Sequence, residues 1–322
     1  MRIHALDELP AASLPQLAAF GPLDGDPPQG IEFIRQVRRW GLPASDYYGL
    51  YAVEDGEVLS RVESLRLRFT TRQGREDVVG ISDVSTRPEG IGRGYARSLL
   101  TEVHRREVER GRRWSFLWTH RSWGAHRLYE SLGYEDVYSP PTALRPIPRA
   151  PGRRLPKNFA WGRVTPTDAR RLERILHAST NGRVGFVPRF PGSISLRFRT
   201  GWRKPENHRL LLESSKPIGY AHLLENSRWN LTTNEVVVTD EAHLGSMVDA
   251  LEVLARGRWL TLHTTSFVTD TATVLRERGY RLFPSAHLTL MAKALVESGR
   301  SNWNPRSVCQ DPSFSCHRGD VF

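Results

Sequence analysis

The sequence predicts a mixed α/β protein built from two tandem units, and three observations support this fold class. Segments with strand-like and helix-like apolar patterns follow one another along most of the chain. A stretch with six prolines, Ser139 to Lys157, interrupts them near the middle. The segment VLRERGYRL at 274–282 also resembles RLYESLGYEDV at 127–137. These features predict units at 1–139 and 158–295, a linker at 140–157 and a C-terminal tail at 296–322.

In the first unit, helical spacing of apolar residues predicts two N-terminal helices, and alternation then predicts strands. A turn at Glu54-Asp55-Gly56-Glu57 joins two of the strands as a hairpin. Gly133 marks the end of the last helix, because glycine is favoured just after a helix. The predicted elements, in order, are helices at 11–20 and 31–40, strands at 47–53, 58–70 and 77–86, a helix from 96 to near 111, a strand at 114–119, a helix at 123–132 and a strand at 134–138.

The second unit repeats much of this order. Thr165-Pro166 is typical of a helix start, with threonine as the N-cap and proline at the first position. The remaining predicted elements are strands at 208–213, 218–224 and 235–238, a helix at 242–255, a strand at 260–264, a helix at 271–278 and a strand at 287–292.

Composition limits the class of protein. Hydrophobic residues make up 39% and charged residues 25% of the 322 residues, as in soluble globular proteins. No apolar run approaches the ~20 residues of a membrane span, and Met1-Arg2-Ile3-His4 does not resemble a signal peptide. Two cysteines exclude a disulfide-built scaffold. We therefore expect a cytoplasmic protein without a membrane partner.

The net charge of +11 raises the question of nucleic-acid binding. Only four of the 46 basic residues are lysines, and the arginines are spread over the chain and interleaved with acids. This distribution favours a solvated, arginine-rich surface over a nucleic-acid face. A basic nucleic-acid or ribosome-associated module remains an alternative.

A glycine-rich turn between a strand and a helix is the first functional signal. It runs Asp83-Val84-Ser85-Thr86-Arg87-Pro88-Glu89-Gly90-Ile91-Gly92-Arg93-Gly94-Tyr95-Ala96-Arg97. Unpaired N–H groups at a helix start, with glycines that let a ligand approach, suit a phosphate or diphosphate. The turn lacks the Gly-Lys-Ser/Thr of a P-loop, and its glycines are spaced wrongly for a dinucleotide fingerprint. A plain strand-to-helix turn is the alternative.

A second motif follows about 30 residues downstream, Gly124-Ala125-His126-Arg127-Leu128-Tyr129-Glu130-Ser131-Leu132-Gly133-Tyr134. Together, V-x-x-R-P-E-x-x-G-x-G-x-A-x-x-L-L and A-x-x-L-Y-E-x-x-G-Y resemble the GNAT superfamily of acyl-CoA-dependent N-acyltransferases. The resemblance is good over residues 57–138. The chain departs from the family at Ile91, where arginine or glutamine is common, and at Ser122, where asparagine is frequent. The tandem arrangement resembles the enhanced-intracellular-survival type, without its third, sterol-carrier-like domain.

The resemblance implies two tandem GNAT-like mixed-sheet domains and an acetyl-CoA-dependent N-acetyltransferase. An amine of a small molecule or protein would attack the acetyl thioester directly in a ternary complex, and Tyr129 would act as general acid. The implied coenzyme-binding residues are Val84, Ser85 and Thr86 for the pantetheine arm, the backbone of Gly92, Arg93, Gly94, Tyr95, Ala96 and Arg97 for the diphosphate, and Gly124 and Ala125 beside the coenzyme.

The general base is less determined. The enhanced-intracellular-survival type uses the terminal carboxylate of a phenylalanine, and this chain ends in Phe322. Asp83 is the alternative base, and Glu63, Asp320 and a bound water also remain open. A non-catalytic acyl-CoA-binding regulator is a competing function, and homo-oligomerisation is left open.

The second unit has lost the coenzyme signals. One glycine remains after its strand, two acids, Asp240 and Glu241, face the corresponding site, and Leu275 replaces Tyr129. We expect this unit to shape the acceptor pocket or to support the first unit. Cys309, Cys316 and His317 fall short of zinc-ligand spacing, so no metal is expected.

Overall fold

The computed structural model describes most of the 322-residue chain. The described residues are 1–20, 46–149, 154–186, 192–199, 201, 203–263, 272–285, 287–296, 303–311 and 313–316. The helix predicted at 31–40 lies outside them, and so do Asp320 and Phe322.

Within residues 1–20 and 46–139, the structure has six strands and two α-helices. They are β1 (Arg2–Ala5), β2 (Tyr47–Glu54), β3 (Glu57–Thr71), β4 (Gly74–Thr86), α1 (Tyr95–Glu109), β5 (Trp114–His120), α2 (Gly124–Ser131) and β6 (Glu135–Tyr138). Residues 11–20 form a 3-10 helix with Pro15 inside it, where an α-helix was predicted. Proline lacks the N–H that an α-helical hydrogen bond would need.

The second half supplies the remaining elements. They are β7 (Pro141–Pro146), β8 (Phe159–Arg163), α3 (Ala169–Thr180), β9 (Val184–Gly185), α4 (Ser193–Arg199), β10 (His208–Glu213), β11 (Lys216–Asn226), β12 (Asn230–Val238), α5 (Leu244–Leu254), β13 (Trp259–His263), α6 (Ala272–Glu277), β14 (Arg281–Pro284), β15 (Leu288–Ala294), α7 (Pro305–Cys309) and β16 (Phe314–Ser315).

These strands form two mixed sheets, which confirms the predicted fold class. The first sheet has the order β1-β2-β3-β4-β5-β15-β6, and β9 and β16 extend it beside β3. The second sheet has the order β14-β7-β13-β12-β11-β10-β8. β4 pairs in parallel with β5, as β12 does with β13.

The two halves exchange strands. β7 lies between β13 and β14 of the second sheet, whereas β15 lies between β5 and β6 of the first. The interval 140–157 is therefore not simply the extended linker that its prolines suggested. Pro141 and Pro146 stand at the two ends of β7, so residues 142–145 keep the N–H groups that a central strand needs. Likewise, β15, predicted in the second unit, completes the first sheet.

The first sheet is covered on both faces. On one face, α1 contributes Leu99, Leu100 and Val103 to an apolar cluster with Val79 and Leu117. A second cluster contains Phe69 and Phe116 with Val308 and Cys309 of α7. Trp303 stacks on Phe69 there, with a centroid distance of 4.8 Å. The described part of the C-terminal tail is thus packed against the first sheet.

Candidate active site

The parallel strands β4 and β5 stay together over a short distance. Their register joins Val79 to Ser115 and Gly80 to Phe116, although β4 continues to residue 86 and β5 to residue 120. Beyond residue 80, no described strand pairs with the edge of β4 that faces β5. Backbone N–H and C=O groups on such an edge can pair with an extended ligand.

A β-bulge lies next to this free edge. The pairing of β3 with β4 shifts between Arg61 and Glu63, so that Asp83 and Val84 oppose the single residue Val62. Asp83 has a φ of +48°, in the left-handed region. Because a bulge bends the strand and changes its local twist, it turns the backbone at residues 83–84 relative to the regular ladder below it.

The glycine turn that follows β4 leaves a helix start open. Gly92 and Gly94 have φ values of +80° and +81°, and a Cβ added to either would meet nothing within 4 Å. Gly94 is the N-cap of α1, without a side-chain capping bond. The N–H groups of residues 92 and 94–97 donate to no other described group, and the first helical bond joins Ser98 to Gly94. Unpaired N–H groups and the positive end of the helix dipole favour an anion here.

The corresponding helix of the second half is closed by its own side chains. Asp240 accepts a hydrogen bond of 2.9 Å from the Ala242 N–H just before α5, and Glu241 pairs with Arg183. Leu275, at the position that corresponds to Tyr129, is fully buried. A carboxylate therefore occupies the helix start where the first half leaves N–H groups unpaired.

Side chains of the glycine turn are engaged within the protein. The Tyr95 hydroxyl donates to Glu54 Oε2 at 2.8 Å, and Arg93 pairs with the same carboxylate. The Tyr95 hydrogen bond, together with Arg93, lowers the pKa of Glu54. Arg97 donates to Ser131 Oγ at the end of α2, at 2.6 Å. These contacts hold the turn, and Tyr95 and Arg97 offer a ligand their backbone N–H groups. The Arg93 N–H, also predicted to bind the diphosphate, instead donates to the Gly90 carbonyl at 3.3 Å.

The predicted pantetheine segment is fixed from its other side by β3. Ser60 Oγ donates to the Ser85 carbonyl at 2.9 Å and lies 2.8 Å from Thr86 Oγ1. Gly124 begins α2, and a Cβ there would meet nothing within 4 Å. Space is therefore open at the start of α2.

Tyr129 lies on α2, one turn after Ala125. Its ring is 6% exposed and belongs to the apolar cluster that includes Tyr95, with Val84 and Ala125 packed against it. Burial raises the pKa of Tyr129 to about 12, and its hydroxyl bonds to no described group. The structure thus places Val84, Tyr95 and Ala125 in or against the same apolar cluster as Tyr129, whose phenol stays protonated at neutral pH.

A buried carboxyl group lies below the bulge. Glu63 on β3 accepts a hydrogen bond of 2.5 Å from the Tyr47 hydroxyl on β2. Arg61 lies 3.6 Å from Glu63 through one nitrogen and 3.6 Å from Asp83 through another. Burial, followed by the charge of Asp83, raises the pKa of Glu63 to about 8. The Asp83 side chain itself is 46% exposed.

Glu63 was among the open alternatives for the base, whereas no motif in the sequence pointed to Tyr47 or Arg61. Tyr47 is 16 residues from Glu63, and its contact depends on the register of β2 with β3, which pairs Gly49 with Glu63. Helix α4 of the second half also reaches this region, since Leu196 packs against Tyr47. No sequence pattern indicates these contacts.

Two other points concern ligands and membranes. Cys309 and Cys316 are buried and are not joined in a disulfide, and no three described His, Cys, Asp or Glu side chains are grouped as a metal site would need. No helix in the described ranges is long and apolar enough to cross a bilayer.

Comparisons with known proteins identify the first unit. Residues 18–137 match the family model of the GNAT acetyltransferase domain. No curated protein matches the chain significantly.

Similar solved structures include a probable N-acyltransferase of unknown function from Enterococcus faecalis, with a TM-score of 0.64 and 14% identity over 91% of this chain and 72% of that one. A GCN5-related N-acetyltransferase from Anabaena variabilis has a TM-score of 0.63 and 16% identity, over 92% of this chain and 73% of that one. Eis1 from Mycobacterium abscessus has a TM-score of 0.55 and 17% identity, over 83% of this chain and 70% of that one. Residues 18–137 therefore match a GNAT acetyltransferase domain, and the chain shares its fold with these solved structures.

Proposed function

We propose that the protein transfers an acetyl group from acetyl-CoA to a primary amine. The observation that carries the proposal is the uncapped start of α1, whose N–H groups open beside the free edge of β4. The family match supports acyl transfer in general. The coenzyme and the acceptor are our inference from the site.

The coenzyme would lie along β4 with its diphosphate at the start of α1. The N–H groups of residues 92 and 94–97 would hold the diphosphate, since they have no acceptor among the described residues. Backbone groups of Val84, Ser85 and Thr86 would pair with the amides of the pantetheine arm. Gly124 and Ala125 would border the arm from the α2 side.

The reaction would be a single displacement through a tetrahedral intermediate. The amine nitrogen attacks the thioester carbonyl carbon, the C–N bond forms, and the C–S bond then breaks. A backbone N–H of β4 near Val84 would stabilise the oxyanion. Tyr129 would give its proton to the leaving thiolate, because a buried phenol with a pKa of about 12 is fully protonated at neutral pH.

The attacking amine must first lose a proton, because a primary amine of pKa ~10.4 is mostly charged near neutral pH. We propose Glu63 as the group that accepts it, with Asp83 as the neighbour that tunes it. A carboxyl group with a pKa of about 8 is half ionised at that pH, and its carboxylate is basic enough to take up a proton effectively. Phe322 lies outside the described residues, so the proposal does not use it.

Ile91 provides a sharp test of the diphosphate site. Its side chain is 70% exposed, so its replacement removes no core packing. Ile91→Asp would place a carboxylate near the start of α1, as Asp240 does in the second half. At about 5 Å from the diphosphate, one such charge costs about 2 kcal/mol, or about thirtyfold in affinity. The uncharged control is Ile91→Asn.

The measurement is calorimetric titration of the full chain with acetyl-CoA. We expect the Asp variant to bind about thirtyfold more weakly and the Asn variant to bind within about twofold of the parent. Equal affinities for both variants would contradict the assignment of the diphosphate to this helix. Release of coenzyme A thiol in the presence of a panel of primary amines then tests transfer. Tight binding without amine-dependent thiol release would instead support a non-catalytic regulator.

A further inference from the structure

The hydroxyl of Thr119, near the end of β5, is buried and has no hydrogen-bond partner among the described residues. The residue is 3% exposed. Thr289 lies directly across from it on β15, and the Thr289 hydroxyl donates to the Tyr138 carbonyl at 3.3 Å. Leaving a buried hydroxyl unpaired costs free energy that valine, of nearly the same shape, would avoid. The hydroxyl of Thr119 therefore calls for an explanation outside the fold, and a bound ligand is one.

Thr119 stands beside the gap between β4 and β5. The last pair that joins these two strands is Gly80 with Phe116. Thr119 is three residues beyond this pair on β5, as Asp83 is on β4, so both lie about 10 Å past the point where the strands separate. The proposed function places the thioester at this level, because its carbonyl oxygen would meet a β4 N–H near Val84.

The side chain of Thr119 lies on the face of the first sheet that carries Tyr129. Successive residues of a strand point to opposite faces. Leu117 belongs to the apolar cluster of Tyr129, whereas Phe116 belongs to the cluster on the other face, and Trp118 packs against that second cluster. The alternation therefore holds along β5, and Thr119 shares the face of Leu117.

The proposed base lies on the other face. Val62 belongs to the apolar cluster of Tyr129, so its neighbour Glu63 on β3 points away from that cluster. An amine that gives its proton to Glu63 approaches from the Glu63 side of the gap. A donor on the side of Tyr129 thus meets the leaving sulfur rather than the attacking nitrogen.

We propose that the Thr119 hydroxyl donates a hydrogen bond to the sulfur of the coenzyme as the C–S bond breaks. The inference rests on the proposed function and deepens it, since it names a second donor at the leaving group. A threonine hydroxyl can turn about χ1 to meet a ligand that enters the gap. Thr119 keeps its own proton: the electron pair of the C–S bond goes to sulfur, and Tyr129 supplies the proton that the thiolate takes up. A thiolate is a much stronger acceptor than a thioester sulfur, so the bond lowers the barrier more than it improves binding.

The test is turnover of Thr119→Val, which removes the hydroxyl and keeps the shape of the side chain. With acetyl-CoA, the full chain and a primary amine that the parent acetylates, we expect kcat to fall about tenfold to hundredfold, the effect of one hydrogen bond to a charged group. The KM for acetyl-CoA should stay within about twofold, and Thr119→Ser should keep kcat within about threefold of the parent. Thr233→Val is the matched control, because the Thr233 hydroxyl on β12 is also buried without a described partner, and its kcat should equal that of the parent.

A second measurement needs no turnover. NMR of coenzyme A isotopically labelled at the carbon next to its sulfur, bound to the full chain, reports the pKa of the thiol. If Thr119 holds the thiolate, this pKa should be about one to two units higher in Thr119→Val than in the parent, and Thr233→Val should leave it unchanged. By circular dichroism, Thr119→Val without coenzyme should melt at or above the parent temperature, because it loses an unpaired buried hydroxyl.

Three results would overturn the inference. Parent-like kcat and thiol pKa in Thr119→Val would do so and leave the proposed function standing. A raised KM for acetyl-CoA with kcat unchanged would assign the hydroxyl to the pantetheine arm. A clear fall in melting temperature would show that the hydroxyl serves the fold. If no amine is acetylated but coenzyme A binds and its thiol pKa rises in Thr119→Val, the contact is supported and the proposed transfer fails.

Discussion

The pH dependence of turnover should identify the general base, and Asp83→Asn is the most informative change. In the parent protein, the rate should rise with pH through an apparent pKa of about 8, as Glu63 loses its proton and becomes able to accept one. Asp83→Asn removes the neighbouring negative charge that helps to raise the pKa of Glu63. Ionisation of Glu63 then becomes easier, so the rise should move to lower pH.

The size of this shift follows from the geometry. Both carboxylates lie 3.6 Å from the guanidinium of Arg61. We take a separation of about 4 Å between the two carboxyl groups and an effective dielectric constant of about 60, because the Asp83 side chain is half exposed to water. Coulomb's law then gives about 1.4 kcal/mol, which corresponds to about one pH unit.

The assay is kcat/KM for the amine between pH 6 and 9.5, with acetyl-CoA saturating and thiol release as the signal. Glu63→Gln should lower the rate and abolish the rise near pH 8. Asp83→Asn should keep a rise, displaced by about one unit toward acid. A rise that stays near pH 8 in both variants would refute Glu63 as the base. Loss of the rise in Asp83→Asn alone would transfer the role to Asp83.

Two further predictions concern the acid and the exchanged strand. Tyr129→Phe should lower kcat by about a hundredfold or more while leaving the calorimetric affinity for acetyl-CoA unchanged, and a full-speed variant would remove Tyr129 from the reaction. A chain that ends at residue 139 lacks β15, which lies between β5 and β6. It should show no cooperative thermal transition by circular dichroism and no acetyl-CoA binding, whereas melting and binding like those of the full chain would show β15 to be dispensable.

The sequence was informative where function depends on local backbone geometry. The glycine turn and the α2 motif are each a continuous stretch of sequence. Glycine at 92 and 94 predicts positive φ values, and both residues adopt them. The helix start can therefore be predicted without tertiary information. The same holds for the second half. Asp240 and Glu241 predicted that its helix start would not bind a diphosphate, and Asp240 accepts a hydrogen bond from the Ala242 N–H there.

The sequence was uninformative where function depends on register or topology. A carboxyl group of pKa about 8 at Glu63 arises from burial and from Asp83, which reaches it through the pairing of β3 with β4. The strand β7 was not predicted, because prolines are typical of a linker. A central strand is possible there because Pro141 and Pro146 stand at its two ends. Such long-range pairing leaves no local pattern.

The strand exchange explains why a half without an open helix start still matters for the site. β15 brings Met291, fully buried, into the apolar cluster around Tyr129. It also places Lys293 Nζ 3.4 Å from His104 Nδ1, and the other ring nitrogen of His104 lies 2.8 Å from the Tyr134 hydroxyl. His287, which immediately precedes β15, stacks on His120 at the end of β5, with ring centroids 4.7 Å apart. Because β15 follows the second sheet's strands in the chain, the second half supports the first site structurally even though its own corresponding helix start is closed.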